Sequence, residues 1–198
     1  MGQEVTGDRD ERDERVQALV DRVLAEIRTV LESADDASMA RLVEAVLQAN
    51  RIVVHGAGRV GIVCSAFAMR LAQMGFRSHM LGEPTTPAIG GGDILLLCSG
   101  SGETQTVYQV ALLAKQHGAR IVLITARPES RIGRLADVVV PLSAPTKLGS
   151  SQGPPSIQPM TTVAEQSLMI FLDMVVLLLM RATQQTSEDL WRRHRNLE

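Results

Sequence analysis

Ser99-Gly100-Ser101-Gly102-Glu103-Thr104 is the stretch on which the reading of this chain turns. It closes the apolar run Asp93-Ile94-Leu95-Leu96-Leu97-Cys98 and opens a helix-like segment from Thr104 to His117. An apolar run, a glycine-rich turn and a helix in succession is the unit of a parallel α/β sheet. Glycines let such a turn bend sharply and leave its amides open, and the helix N-terminus adds a partial positive charge. Ser99, Ser101 and Thr104 each bring a hydroxyl, with the backbone of Gly100 and Gly102 between them. A hydrogen bond to a charged oxygen contributes about 1.5–3 kcal/mol, so several converging donors anchor an anion. The loop is therefore expected to hold the phosphate of a small metabolite; the plainer alternative is a helix cap on an ordinary turn. Glu103 sits well with a first helical turn but poorly with a phosphate. It either points away from the ligand or binds sugar hydroxyls.

Outward from this loop the same alternation repeats. Arg51–His55, Ser78–Leu81, Asp93–Cys98, Arg120–Thr125 and Asp137–Leu142 read as strands, and Ile62–Met74 and Thr104–His117 as helices between them. Strands separated by helices pair in parallel through right-handed crossovers, which predicts a five-stranded, doubly wound, flavodoxin-like sheet flanked by helices. Ligands of such sheets bind at the carboxyl ends of the strands, near a switch in strand order.

Ahead of the sheet, Val16, Leu19, Val20, Val23, Leu24, Ile27, Val30 and Leu31 form a helical apolar stripe suited to packing on a sister subunit. A second helix is expected over Ala37–Gln48, with Asp35 and Asp36 as candidate caps. Residues 1–35 thus read as an N-terminal helical appendage with a loose start over the first ten or so residues, and 36–198 as one α/β unit with C-terminal helices. Residues 143 to 159 are rich in Ser, Pro and Gly and read as a long loop over the site. A long apolar helix then runs from Thr161 or Thr162 to Thr183, and a short one starts at Ser187.

The bulk properties exclude several function classes. A net charge of −2 and an aromatic content of 3% give neither a basic surface nor stacking platforms for nucleic acid. The apolar run Leu168–Met180 is short for a bilayer and contains Asp173, so a buried or oligomer-facing helix is expected, with no membrane partner. The N-terminal residues are charged, without a signal-type apolar core. Cys64 and Cys98 fall in apolar segments without ligand spacing and read as buried, reduced thiols of a cytoplasmic protein. No pair of histidines or carboxylates has metal-ligand spacing, so no metal is expected.

A second glycine-rich turn, Gly56-Ala57-Gly58-Arg59-Val60-Gly61, is a literal G-x-G-x-x-G between a strand and a helix. A dinucleotide site would also want an acid after the next strand, for which Glu83 is only loosely placed. The turn is otherwise a plain tight connection, or one wall of a phosphate-sugar pocket with Arg59 facing the ligand. Glu165 stands at the start of the long apolar helix, where a carboxylate suits a general base, although composition alone favours an ordinary first-turn acid. By the same standard His194 is an exposed residue of the basic tail, and His55 is structural or pocket wall. His79 and His117 are packing or surface residues.

The two loops, the second foremost, resemble those of the sugar isomerase (SIS) domain family. Phe67-Ala-Met-Arg-Leu71, Gly82-Glu-Pro-Thr-Thr-Pro-Ala-Ile89, Ser156-Ile-Gln-Pro-Met160 and Arg193-His-Arg-Asn-Leu-Glu198 narrow the resemblance to the branch acting on 3-hexulose 6-phosphate. The resemblance implies interconversion of that sugar phosphate with fructose 6-phosphate in the ribulose monophosphate route of formaldehyde fixation. It implies no cofactor, and a cytoplasmic homotetramer with active sites between subunits. By matching position, Ser99 through Thr104 would bind the phosphate, with Arg59 and Val60 beside the substrate. Glu165 would accept the proton, and His194 would arrive from a neighbouring subunit as a partner acid or ring-opening group. The family also contains sugar-phosphate-binding regulatory modules and isomerases of other ketose or aldose phosphates. This chain departs from the family pattern at Val60, where a serine touches substrate, at Thr161 in place of glycine, at Ala164 in place of phenylalanine, at the additional Gly153-Pro-Pro155, and at Arg195. Losing one hydroxyl donor at position 60 costs roughly 1 kcal/mol of binding.

Overall fold

The computed structural model describes residues 7–146 and 155–197, with side chains from Arg15 onward. The loose start expected over residues 1–6 and most of the additional Gly153-Pro154-Pro155 lie outside the described residues, as does Glu198. Among the described residues, helices α1 (Gly7–Leu31) and α2 (Asp36–Gln48) precede β1 (Ile52–Gly56). Then follow α3 (Arg59–Gln73), β2 (Ser78–Met80), β3 (Ile94–Cys98), α4 (Gln105–Gln116), β4 (Arg120–Thr125) and β5 (Val138–Pro141). Helices α5 (Thr162–Ala182) and α6 (Ser187–Arg192) close the chain.

All strands pair in parallel, in the order β2-β1-β3-β4-β5. The chain order reverses between β1 and β3, so the two glycine-rich turns flank the crevice where such sheets bind ligands. Every residue of β3 is buried, which explains its unbroken apolar run: a central parallel strand has no solvent face. On one face, Ile52, Val54, Ile94 and Leu96 pack with Leu71, Phe171, Leu172 and Val175 from α3 and α5. On the other, Val53, Leu95, Leu97 and Leu123 meet Val107 and Ala111 of α4.

The helix starts have local causes. Asp35 caps α2, accepting from the amide of Ser38 at 2.8 Å and from its hydroxyl at 2.6 Å, while Asp36 is the first helical residue. Helix α1 begins at Gly7, so residues 7–10, expected to be loose, are helical. Only the C-terminal half of its apolar stripe is covered: Ile27 and Val30 are buried, while Val16, Leu19, Val20 and Leu24 are exposed. Helix α5 is longer than the apolar run within it and, by length and composition, could cross a membrane. Its face from Val163 through Leu168 and Leu172 to Leu179 is instead packed in the core, as for a central helix of an α/β fold.

Candidate functional site

The β3–α4 loop is shaped by the strand beside it. The amide of Ser99 donates to the carbonyl of Ile124 at 3.0 Å. The carbonyl of Gly100 is drawn toward β4, accepting from the Ala126 amide at 3.1 Å and the Thr125 hydroxyl at 3.2 Å. Gly102 has φ +60, and a Cβ there would run into the hydroxyl of Ser130, so only glycine fits. Its amide donates to the carbonyl and hydroxyl oxygens of Ser99, and the amide of Glu103 donates to Ser101 Oγ. Both serine hydroxyls therefore accept from the loop and keep their protons for another acceptor. Thr104 is the N-cap of α4 but makes no capping bond through its side chain. The amides of Gly100, Ser101 and Thr104 have no partner among the described residues. Ser99, Gly100, Ser101 and Thr104, which carry this unspent donor capacity, line a cavity of about 200 Å³.

Gly102 and Glu103 do not line that cavity. The carboxylate of Glu103 accepts from the Arg131 amide at 3.0 Å and forms an ion pair with Arg131 Nε at 3.2 Å. The Arg131 guanidinium also donates to the Glu103 carbonyl and lies 4.4 Å from the centre of the Tyr108 ring. Glu103 thus lies off the cavity, its side chain tying the loop to the segment after β4.

Across the cavity, the β1–α3 turn is tighter than expected: α3 begins at Arg59 rather than Ile62 because Gly58, at φ +59, turns the chain directly into the helix. A Cβ on Gly61 would lie 2.6 Å from the carbonyl oxygen of Gly56, so this glycine serves close helix–strand approach. Arg59 and Val60 both line the cavity. Arg59 Nε is 2.8 Å from Glu165 Oε2, with the arginine side chain 63% exposed and the glutamate 11%. Glu165, from the first turn of α5, thus presents a nearly buried carboxylate at the wall of the same cavity that the donor loop lines. The hydroxyl of Thr161 donates to its other oxygen, Oε1, at 2.9 Å. The Arg59 partner was not legible from spacing, since α5 follows the last strand and only the closed sheet brings it beside α3, whereas Thr161 lies only four residues before Glu165.

The segment entering α5 is held by α1. The carboxylate of Glu26 accepts from the Ser156 hydroxyl at 2.6 Å, the Ile157 amide at 2.8 Å and the Gln158 amide group at 3.2 Å. Desolvation pushes its pKa up, but these bonds together outweigh it and leave the group below its ordinary value. Cys98 also lines the cavity; a hydrogen bond shared with Cys64, then burial, raise its pKa well above the ordinary thiol value, so it stays protonated and unsuited to nucleophilic attack. Among the described residues there is no group of three His, Cys, Asp or Glu able to hold a metal.

His194 is not brought to the cavity within one chain. Its neighbour Arg193 packs against Gly75 and donates to the Gln73 carbonyl, at the end of α3 opposite Arg59. The 15 residues of α3 span about 22 Å, which separates the tail from the cavity. The His194 ring lies 5.2 Å from that of Trp191, tilted by 44°. His55, at the end of β1, lines no part of the cavity; both ring nitrogens are buried without a partner among the described residues, and burial lowers its pKa.

A model of the SIS domain matches residues 45–177, which takes in both glycine-rich turns and Glu165. The chain is 39% identical over 158 residues to the 3-hexulose-6-phosphate isomerase of Bacillus subtilis (strain 168), covering 80% of this chain and 85% of that protein. It is 39% identical over 175 residues to the 3-hexulose-6-phosphate isomerase of Mycobacterium gastri, covering 87% and 86%. Among solved structures, it superposes with a TM-score of 0.79 on a hypothetical protein of Methanococcus jannaschii for which that same function was inferred. The two are 31% identical, and the match covers 91% of this chain and 99% of the other.

Proposed function

The chain belongs to the SIS domain family, and we propose that it is the sugar-phosphate isomerase interconverting 3-hexulose 6-phosphate and fructose 6-phosphate. The observation that carries this reading is one cavity holding both a loop of unspent hydroxyl and amide donors and the nearly buried carboxylate of Glu165. The reaction moves a ketone between C3 and C2 of a six-carbon chain. A base takes the proton from the carbon bearing the hydroxyl, an enediol forms, and the proton returns to the former carbonyl carbon. One carboxylate on one face of the intermediate performs both transfers. The donors of Ser99, Ser101 and Thr104 hold the phosphate and so fix which carbons face Glu165. Arg59 supplies a cation beside the oxygens on which negative charge develops. Val60 contributes an apolar wall. Gly100 and Gly102 shape the loop, and Glu103 acts on substrate only through it.

In this reading the protein is a cytoplasmic homotetramer serving formaldehyde fixation by the ribulose monophosphate route. Residues 1–35 form its assembly arm and 36–198 its catalytic unit. The exposed stripe of α1 and the outward residues Met169, Ile170, Met174 and Leu177 of α5 supply apolar contact surface. His194 of a neighbouring copy completes the site as partner acid, since its own tail lies at the far end of α3.

The test is turnover of 3-hexulose 6-phosphate by the purified protein, with Glu165→Gln as control. Wild type is expected to form fructose 6-phosphate, and the variant to lose about 10²–10⁴-fold in kcat. Absence of turnover in wild type, or full turnover in the variant, overturns the proposal. Fructose 6-phosphate binding without turnover would instead mark a sugar-phosphate-binding regulatory module.

A further inference from the structure

We infer that Thr161 is a positioning residue whose hydroxyl fixes the Glu165 carboxylate so that Oε2 is the atom that moves the proton. The inference rests on the reading of Glu165 as the base. The two oxygens of Glu165 are held differently. Arg59 reaches Oε2 at 2.8 Å from a side chain that is 63% exposed, so this contact is easily exchanged for oxygens of an incoming anionic substrate. The Thr161 hydroxyl reaches Oε1 at 2.9 Å from within the same helical turn, where residues four apart face each other. It has no reason to leave when substrate enters. Once Arg59 is drawn off, Thr161 still prevents the carboxylate from rotating and Oε2 is left bare toward the cavity.

The backbone around Thr161 is arranged for this bond rather than for helix capping. Thr161 occupies the N-cap of α5, where a threonine side chain ordinarily accepts from an amide of the first turn. It makes no such bond, and its hydroxyl proton goes to Glu165. Its carbonyl accepts from the Glu165 amide at 3.1 Å, which stacks the two residues on one helix face. The residue before it, Met160, has φ +56 and is exposed, with no packing that would reward a left-handed conformation in a side chain of that size. Such conformations persist where the surroundings impose them and cluster at functional sites. Here the turn delivers Thr161 to the cavity wall, which it lines together with Glu165.

The experiment compares wild type, Thr161→Val, Thr161→Ser and Glu165→Gln in 3-hexulose 6-phosphate turnover, with thermal melting of each. Valine keeps the shape and removes the hydroxyl; serine keeps the hydroxyl. For Thr161→Val, kcat is expected to fall about 10- to 100-fold, the scale of a displaced catalytic group, while KM stays within about twofold. Thr161→Ser should return kcat to within about threefold of wild type, on the same scale. Wild-type kcat in a folded Thr161→Val, or a fall in the serine variant as large as in the valine one, overturns the positioning role alone. Should the valine variant not fold, Thr161→Ala is read by the same criteria. An inactive wild type or an active Glu165→Gln overturns the base itself, and the inference with it.

Discussion

Each of the two glycine-rich turns at the carboxyl ends of β1 and β3 is associated with an arginine–glutamate pair, and the two pairs do opposite things. Arg59, from the first turn, meets Glu165 inside the cavity, with most of its surface in solvent. Glu103, from the second, meets Arg131 outside the cavity, with both side chains about one-third exposed and with backbone bonds at both ends of the contact. In the proposed reaction the first pair joins two groups that must later separate. The second immobilises a loop whose remaining donors must not move. Similar local sequence at equivalent points of a fold thus yields a solvent-open contact at the cavity in one place and a scaffold in the other. The partner residue, not the glycine pattern, makes the distinction.

The largest effect should come from the glycines. In the second turn, Gly102→Ala sets a Cβ against the Ser130 hydroxyl at a backbone φ of +60. It should displace the donor loop and lower kcat/KM by 100-fold or more, on the order expected when binding geometry is lost. In the first turn, Gly58 has φ +59 but open space around it. Gly58→Ala should cost only backbone strain, about 1–3 kcal/mol of stability in a denaturant titration, and less activity than Gly102→Ala. Equal losses in the two variants would mean that the turns share one task.

The two pairs give the next contrast. Arg59→Gln should lower kcat by about 10–10³-fold, the range seen on removing one stabilising donor, with little change in melting temperature because the contact is largely solvated. Arg131→Gln should reverse the pattern. Unfolding should become easier by about 1–3 kcal/mol as the buried part of the network loses partners. The Michaelis constant should rise while kcat is largely kept. Steady-state kinetics and chemical denaturation on the same preparations decide between these outcomes.

A smaller effect is expected from restoring a donor to the first turn. Val60 faces the cavity and leans over Gly56. Val60→Ser should place a hydroxyl there and lower the Michaelis constant two- to tenfold, corresponding to about 0.5–1.5 kcal/mol for one added hydrogen bond. An unchanged constant would show that the first turn contributes no donor to substrate.

Much of this architecture was legible before the structure. The strands announce themselves through runs such as Ile94–Cys98 and Arg120–Thr125, because central parallel strands are buried on both faces and admit few polar residues. The donor loop was legible because hydroxyls and glycines cluster within six positions. Helix starts were less so: α3 begins before its first apolar periodic residue, since one glycine at positive φ replaces a longer turn. The pairing choices were not legible at all. Glu103 reaches a residue 28 positions away, and Glu26 one more than 130 away, so these contacts exist only once the crossovers are closed. The hydroxyl of Thr161 was close to Glu165 in sequence, but nothing in composition tells a capping threonine from one that grips a carboxylate.

The strands leading into the two turns also differ at one paired position, and this gives the smallest and most specific prediction. In the parallel register His55 of β1 lies opposite Leu97 of β3. Leu97 is at home in an apolar layer, whereas His55 has two buried ring nitrogens without partners among the described residues. Burial disfavours its charged form and lowers its pKa below the ordinary histidine value of 6.5. The unfolded chain therefore binds a proton at a pH where the folded chain does not. Stability must rise with pH between the folded and unfolded pKa values, so the penalty is fully present below the folded value and absent above 6.5. His55→Leu, which copies the other strand, should leave stability near pH 8 little changed and flatten its decline in mildly acidic buffer. Melting temperatures of both proteins from pH 8 down to about 5 would show the curves converging at the alkaline end and separating below the ordinary histidine range. Parallel curves would place the acid sensitivity elsewhere, with Glu26 the next group to examine. Its lowered pKa makes its contribution fade only at more acidic pH, as the carboxylate that holds Ser156–Gln158 takes up a proton.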